Sequence, residues 1–213
     1  METKLLIFDF DGTLADTLEG IVQTAKVVVR ELGLPDLDPL TMKQAIGLPL
    51  WQSLTRGAGV PEDRIEEAMS VYRQQFYLVA PQYVTLFEGV KEALKALHEA
   101  GYKMAIATSR GADSLKMLLH QHGVDMYFQD HSTATEIKAA KPAPDLVLAI
   151  LDRMGTAAEQ TMVIGDTTFD ILMGKNAGCR TCGVSYGNHS REMLETASPD
   201  YIIDDMRQLA SLI

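Results

Sequence analysis

Cysteine is nearly absent: Cys179 and Cys182 are the two among 213 residues. They give no disulfide framework, and their Cys-x-x-Cys spacing has no second pair to complete a zinc site. Residues three apart on a strand face opposite sides, so both are expected to be ordinary small residues in or near the core. Positive charge is also scarce. Nineteen Lys and Arg stand against 29 Asp and Glu, a net charge of −10. That balance argues against nucleic acid or an anionic membrane surface as partner, because both select basic patches. An anionic ligand would have to be drawn in by local cations. Long apolar runs are missing as well: none approaches the roughly 20 residues of a spanning helix. The strand pattern that begins at Lys4 leaves no room for a signal peptide, so a cytoplasmic location is expected. There is no internal repeat and no low-complexity segment.

What is present is a hydrophobic fraction of 46%, ample for a core, and one loaded stretch near the start. The apolar run Leu5-Leu6-Ile7-Phe8 is followed by Asp9-Phe10-Asp11-Gly12-Thr13-Leu14. A short branched apolar run ended by Asp and Gly reads as a buried parallel strand entering a tight turn. In open α/β sheets ligands sit at the carboxyl ends of strands. Asp9 and Asp11 leave the strand there, and would point the same way if the extended geometry continued. Two anions so close need a cation between them or a shared proton. The pair therefore suggests a hard metal ion, a nucleophile with a general acid, or both.

Further strand-like runs fall at Lys103–Thr108, Met126–Gln129, Thr161–Gly165, Thr181–Ser185 and Tyr201–Ile203. Helical patterns at Glu88–Ala100, Ser114–His122, Pro144–Met154 and Thr168–Ala177 alternate with them, each followed by a Gly stop. This alternation predicts a doubly wound parallel sheet of the α/β class. One interval breaks it. From Asp16 to about Val79 the pattern is helical throughout, starting with an apparent capping box, Asp16 with Glu19. Further helices are expected from Pro39, over Leu50–Arg56 and over Pro61–Ala80. The expected organisation is a core of residues 1–15 and 82–213, with residues 16–81 inserted as a small helical cap beside the two aspartates. An insert at the mouth of a site commonly serves as a lid; its hinges are expected near Leu14–Thr17 and Pro81–Phe87.

Three more patches carry possible chemistry. Thr108-Ser109-Arg110-Gly111 ends a strand and opens a helix, offering donors to an oxyanion or phosphate. Lys141, before Pro142, could neutralise a phosphate or the aspartates. Gly165-Asp166-Thr167-Thr168-Phe169-Asp170 repeats the opening pattern of strand then carboxylates, a spacing suited to metal ligation. Each patch alone also fits ordinary turn, cap or solvated residues.

Together and in this order, the patches resemble the haloacid dehalogenase superfamily in its phosphatase branch, with Asp9 to Leu14 as motif one, Thr108 as motif two, Lys141 as motif three and Gly165 to Asp170 as motif four. The helical insert looks like the small cap of phosphoglycolate phosphatases and β-phosphoglucomutases. The resemblance implies a Rossmann-like core, and Asp9 as a nucleophile forming an aspartyl-phosphate. It implies Asp11 as general acid and then base. Mg²⁺ would be held by the Asp9 carboxylate, the Asp11 carbonyl and Asp166, with Asp170 beside it directly or through a water. Thr108 and Lys141 would hold phosphate oxygens. Gly12, Ser109 and Arg110 are candidate substrate-binding residues in the core, and Leu50 and Arg56 in the cap, with Leu48 and Trp51 nearby.

Within the family, Asp11 argues against dehalogenation, since a halide leaving group needs no proton. The cap of β-phosphoglucomutases carries Gly-x-x-Arg-x-x-Ser-Leu. The matching stretch here, Gly47 to Leu54, has Leu50 in place of that Arg, which weakens a mutase reading. Hydrolysis of a small phosphorylated metabolite such as phosphoglycolate is the leading expectation, with a pyrophosphatase of the same subgroup as the alternative and a monomer or homodimer as the assembly. A non-enzymatic binding module would show damaged motifs, and these are intact. His98, His120 and His122 read as surface residues, and His131 and His189 as weak loop candidates. The eleven methionines read as core filler.

Overall fold

The computed structural model describes residues 2–136 and 139–213; Met1, Ile137 and Lys138, the last of which begins the Lys141 patch, lie outside them. Six parallel strands form one sheet: β1 (Leu5–Phe8), β4 (Lys103–Thr108), β5 (Asp130–Thr133), β6 (Thr161–Gly165), β7 (Arg180–Val184) and β8 (Tyr201–Ile203), in the order β5-β4-β1-β6-β7-β8. β1 lies centrally between β4 and β6, with Phe8 opposite Ile106 and Ile164. Its side chains alternate between two apolar layers, as a strand covered on both faces must. Leu5 and Ile7 pack with Leu146, Val147 and Ile150, whereas Leu6 and Phe8 join the cluster that holds Leu94, Leu97 and Met104.

Helices α5 (Val90–Glu99), α6 (Ala112–His122), α7 (Asp145–Met154), α8 (Thr168–Asn176) and α9 (Arg191–Thr196) connect the strands. The expected doubly wound α/β fold is therefore observed. Strands are added on one side of β1 as β4 and β5 and then on the other as β6, β7 and β8, so the carboxyl ends of β1, β4 and β6 border a crevice of the kind that holds ligands.

Between β1 and β4 come α1 (Leu18–Glu31), α2 (Pro39–Gln44), α3 (Leu50–Ala58) and α4 (Ile65–Val79). Pro39 opens α2, and Asp38 accepts from the backbone N–H of Leu40 and Thr41. The chain passes into and out of this helical group through two short strands, β2 (Ala15–Asp16) and β3 (Thr85–Leu86), paired antiparallel with Ala15 opposite Leu86 and Asp16 opposite Thr85. Among the described residues, no helix is long and apolar enough to cross a membrane.

Two local expectations need correction. The strand expected at Met126–Gln129 is a short 3-10 turn over Asp125–Tyr127, and β5 follows at Asp130–Thr133, carrying His131. No capping box forms at α1: Thr17 is the N-cap, and Asp16 accepts from the Leu18 N–H at 3.3 Å while lying in β2.

Candidate active site

The chain leaves β1 into a tight turn in which the Phe10 carbonyl accepts from the N–H groups of Leu14 (3.0 Å) and Ala15 (3.1 Å). The strand ends at Phe8, so Asp9 and Asp11 do not share one partner. Asp9 is buried, and its Oδ1 accepts from the Lys141 ammonium at 2.7 Å. Its Oδ2 has no hydrogen-bond partner. Asp11 faces the Arg110 guanidinium in a two-pronged pair: Arg110 Nε donates to Asp11 Oδ2 at 3.0 Å, and Arg110 Nη2 donates to Asp11 Oδ1.

Lys141 is buried between two carboxylates, since it also donates to Asp170 Oδ1 at 2.7 Å. The other Asp170 oxygen accepts from the Thr167 N–H (3.0 Å) and hydroxyl (2.6 Å), closing a capping box at the start of α8. Asp166, at the end of β6, accepts from the Thr13 hydroxyl at 2.9 Å, the Asn188 N–H at 2.7 Å and the Asn188 side-chain amide at 2.9 Å. Asn188 also donates to the Asp11 carbonyl at 3.3 Å. Packing requires glycine at position 12. Its φ is +91°, and a Cβ there would come within 2.2 Å of the Asp166 carboxylate.

The electrostatics follow from this crowding. Burial, then the charge of Asp170, pushes the Asp166 carboxyl up to about 7, against the donors Asn188 and Thr13. Burial also raises Asp9 well above the usual carboxylate range; Lys141 opposes the shift, and Asp170, Asp166 and Asp11 add to it. Burial works against the Lys141 charge, but Asp170 and Asp9 outweigh it and hold the ammonium firmly protonated. Four carboxylates (Asp9, Asp11, Asp166, Asp170) thus face two cations (Lys141, Arg110), a surplus of two negative charges. Oxygen atoms of Asp9, Asp166 and Asp170 lie within 4.8 Å of one another. A divalent cation would balance the surplus, and an all-oxygen donor set suits a hard one.

A cavity of about 740 Å³ opens above Asp9 and Asp11, between the β4–α6 loop and the four inserted helices. Thr108, Ser109 and Arg110 line it from the sheet side, and Leu48, Leu50, Trp51, Tyr72 and Phe76 from the helical side. Thr108 is buried and accepts from the Arg110 N–H at 3.1 Å. Ser109 does not point at the carboxylates; its hydroxyl donates to the Gly47 carbonyl at 2.6 Å and ties the sheet to the α2–α3 loop. The Arg110 guanidinium lies 4.6 Å from the Phe76 ring centroid and 5.7 Å from that of Phe10. Arg56 is exposed on α3 and is not among the residues that line the cavity, because its side of the helix faces solvent. Trp51 is 50% exposed at the mouth, so it is not core of the helical group.

Sequence reading passed over Thr13, Asn188, Tyr72 and Phe76. Asn188 had one faint signal, its place just beyond a strand's carboxyl end. Tyr72 and Phe76 look like any apolar pair four apart on a helix. His189, a weak candidate, is buried and accepts from the Thr168 N–H at 3.1 Å through Nδ1. Cys179 and Cys182 are buried free thiols, pushed up to about 12 by burial first and by Glu159 and Asp200 respectively.

The chain is similar in sequence and fold to known proteins. A model of the haloacid dehalogenase-like hydrolases matches residues 6–184. A protein named "Probable phosphatase IndB" from Dickeya dadantii is 37% identical over 211 residues, covering 96% of this chain and 91% of that one. A phosphoglycolate phosphatase from Vibrio vulnificus is 30% identical over 220 residues, covering 100% and 96%. A haloacid dehalogenase-like family hydrolase from Streptococcus pneumoniae has a solved structure similar to this one, with a TM-score of 0.89 at 26% identity and coverage of 99% and 98%.

Proposed function

Because this chain belongs to the haloacid dehalogenase-like hydrolase family and is a phosphatase within it, we propose that it hydrolyses small organic phosphate monoesters with Mg²⁺ through an aspartyl-phosphate on Asp9. The observation that carries this reading is the state of Asp9. One oxygen is fixed by Lys141, and the other lacks a partner in a residue that lines the cavity. A carboxylate so aimed can form a bond to phosphorus while the ester oxygen departs. Asp11 would give that oxygen a proton, and would later take one from the water that releases inorganic phosphate from Asp9. To do so it must part from Arg110, whose guanidinium then becomes free to hold phosphate oxygens. Thr108 would offer its hydroxyl to another oxygen. Lys141, already shared by Asp9 and Asp170, would keep the nucleophile in line.

Asp9, the Asp11 carbonyl and Asp166 would hold the cation, which when bound neutralises charge on the phosphate and carboxylate oxygens. Both Asp170 oxygens already have partners, which favours its place beside the ion through a water. Residues 16–81 would serve as a lid, its two connections being the paired strands β2 and β3.

The test is steady-state hydrolysis of p-nitrophenyl phosphate. Wild type should turn over with Mg²⁺ and stop in EDTA. Asp9→Asn should lose at least a thousandfold in kcat while melting cooperatively, and beryllium fluoride should bind wild type but not this variant. A folded Asp9→Asn variant with substantial activity removes Asp9 from the nucleophile's role.

A further inference from the structure

We propose that the preferred substrate carries a bulky apolar alcohol portion, best a planar aromatic one, seated against Leu48, Met69, Tyr72 and Phe76. This rests on the phosphatase reading above and narrows its substrate class.

Three observations lead there. The first is size. The sheet and the helical group are already in contact, through Ser109 to the Gly47 carbonyl and through Arg110 to Phe76. Yet a cavity of about 740 Å³, open at its mouth, remains between them, well within the range of roughly 300–1,000 Å³ that takes drug-sized ligands. A phosphate with a short hydroxy-acid tail leaves most of that space to water.

The second is the chemistry of the walls. Polar groups gather at the floor, at Asp9, Asp11, Thr108 and Arg110. The opposite wall is built from apolar side chains of the α2–α3 region and of one face of α4. Tyr72 and Phe76 sit one turn apart with ring centroids 5.9 Å apart and planes inclined by 28°, a surface that a flat ring can stack on. Trp51 and Tyr77 continue the aromatic lining to the mouth, where they are 50% and 43% exposed.

The third is charge. Among the described residues lining the cavity, the cations are Arg110 and Arg73. Arg110 stands in the floor, where the reading above gives it to the phosphate's own oxygens, and Arg73 is an exposed side chain of α4 beside Met69. A second anionic group on the substrate, a carboxylate or a further phosphoryl group, would be desolvated against hydrocarbon without a buried cation of its own. An apolar tail instead gains from burial there.

The experiment compares kcat/KM of the Mg²⁺-loaded full chain on 2-(1-naphthyl)ethyl phosphate, ethyl phosphate and phosphoglycolate, whose leaving groups are all primary alcohols. The naphthylethyl ester should lead both others by tenfold or more, chiefly through KM. Phe76→Ser should lower the naphthylethyl-to-ethyl ratio at least fivefold. Calorimetric titration of wild type with 2-(1-naphthyl)ethylphosphonate against ethylphosphonate reads the same wall without turnover, and should show at least tenfold tighter binding of the former. Ethyl phosphate or phosphoglycolate hydrolysed as well as the naphthyl ester, or equal binding of the two phosphonates, overturns the inference and leaves the phosphatase reading standing. Hydrolysis of none of the three esters, nor of p-nitrophenyl phosphate, takes down both.

Discussion

Lys141 holds Asp9 and Asp170 and is held by them, with almost no solvent contact. Removing one member of such a buried set leaves uncompensated charge, at a cost of about 3–5 kcal/mol. Lys141→Ala should therefore lower unfolding stability by that order at pH 8 in chelator. The loss should shrink at pH 5, where protons can replace the ammonium; denaturant midpoints at the two pH values check it. The wild-type carboxylates carry their own pH signature. In chelated protein Asp166 titrates near 7 and Asp9 lies above the ordinary range, so the folded chain keeps protons that the unfolded chain has released. Stability must then fall as pH rises from the usual carboxylate range through about 7, with a slope of about 1.4 kcal/mol per proton and pH unit. Mg²⁺, standing in for those protons, should raise the melting temperature more at pH 8 than at pH 5. An equal rise at both would mean that the ion does not engage these groups.

At the scale of the element, α8 shows how a helix start serves a site. Its capping box binds Asp170 to Thr167, and Asp170 in turn positions Lys141. Thr167→Val should cost about 1–2 kcal/mol for the lost cap and lower kcat through a less well held Lys141, read by thermal melts beside p-nitrophenyl phosphate kinetics. Unchanged kcat in a destabilised variant would confine the box to helix stability. The elements also show what a sequence can reveal. β1, β4 and β6 were legible because they are buried on both faces and spell continuous apolar runs. β5 was not. It is an edge strand, Asp130-His131-Ser132-Thr133, whose polar letters carry no strand signal, while the apolar Met126-Tyr127-Phe128 beside it turns. The carboxylates and Lys141 were legible as residues because the patches that hold them occur together and in order along the chain, although each alone fits an ordinary turn or cap. Their partners were not: the pairing of Arg110 with Asp11 joins residues 99 apart in sequence, and that of Thr13 with Asp166 joins residues 153 apart. Local pattern does not encode such distances.

For the whole molecule the dominant long-range quantity is the net charge of −10. It repels a phosphate ester at distances where the cations of the site are screened from view. Raising ionic strength from 0.01 to 0.15 M at fixed Mg²⁺ should therefore raise kcat/KM for a dianionic ester by about twofold. A fall would show that the local field of the site, not the global charge, governs approach. The path of the chain has a different consequence. Because Ala15 lies opposite Leu86 in an antiparallel pair, the two ends of the helical insert are neighbours, about 5 Å apart as such pairs are. Seen from the sheet, everything from Thr17 to Val84 is a detour that returns to where it left. A hairpin turn is long enough to bridge the gap. On the proposed reading this is a socket with an exchangeable fitting: the phosphate chemistry would stay with the socket, and a different choice of ester would need only a different fitting between the same two ends.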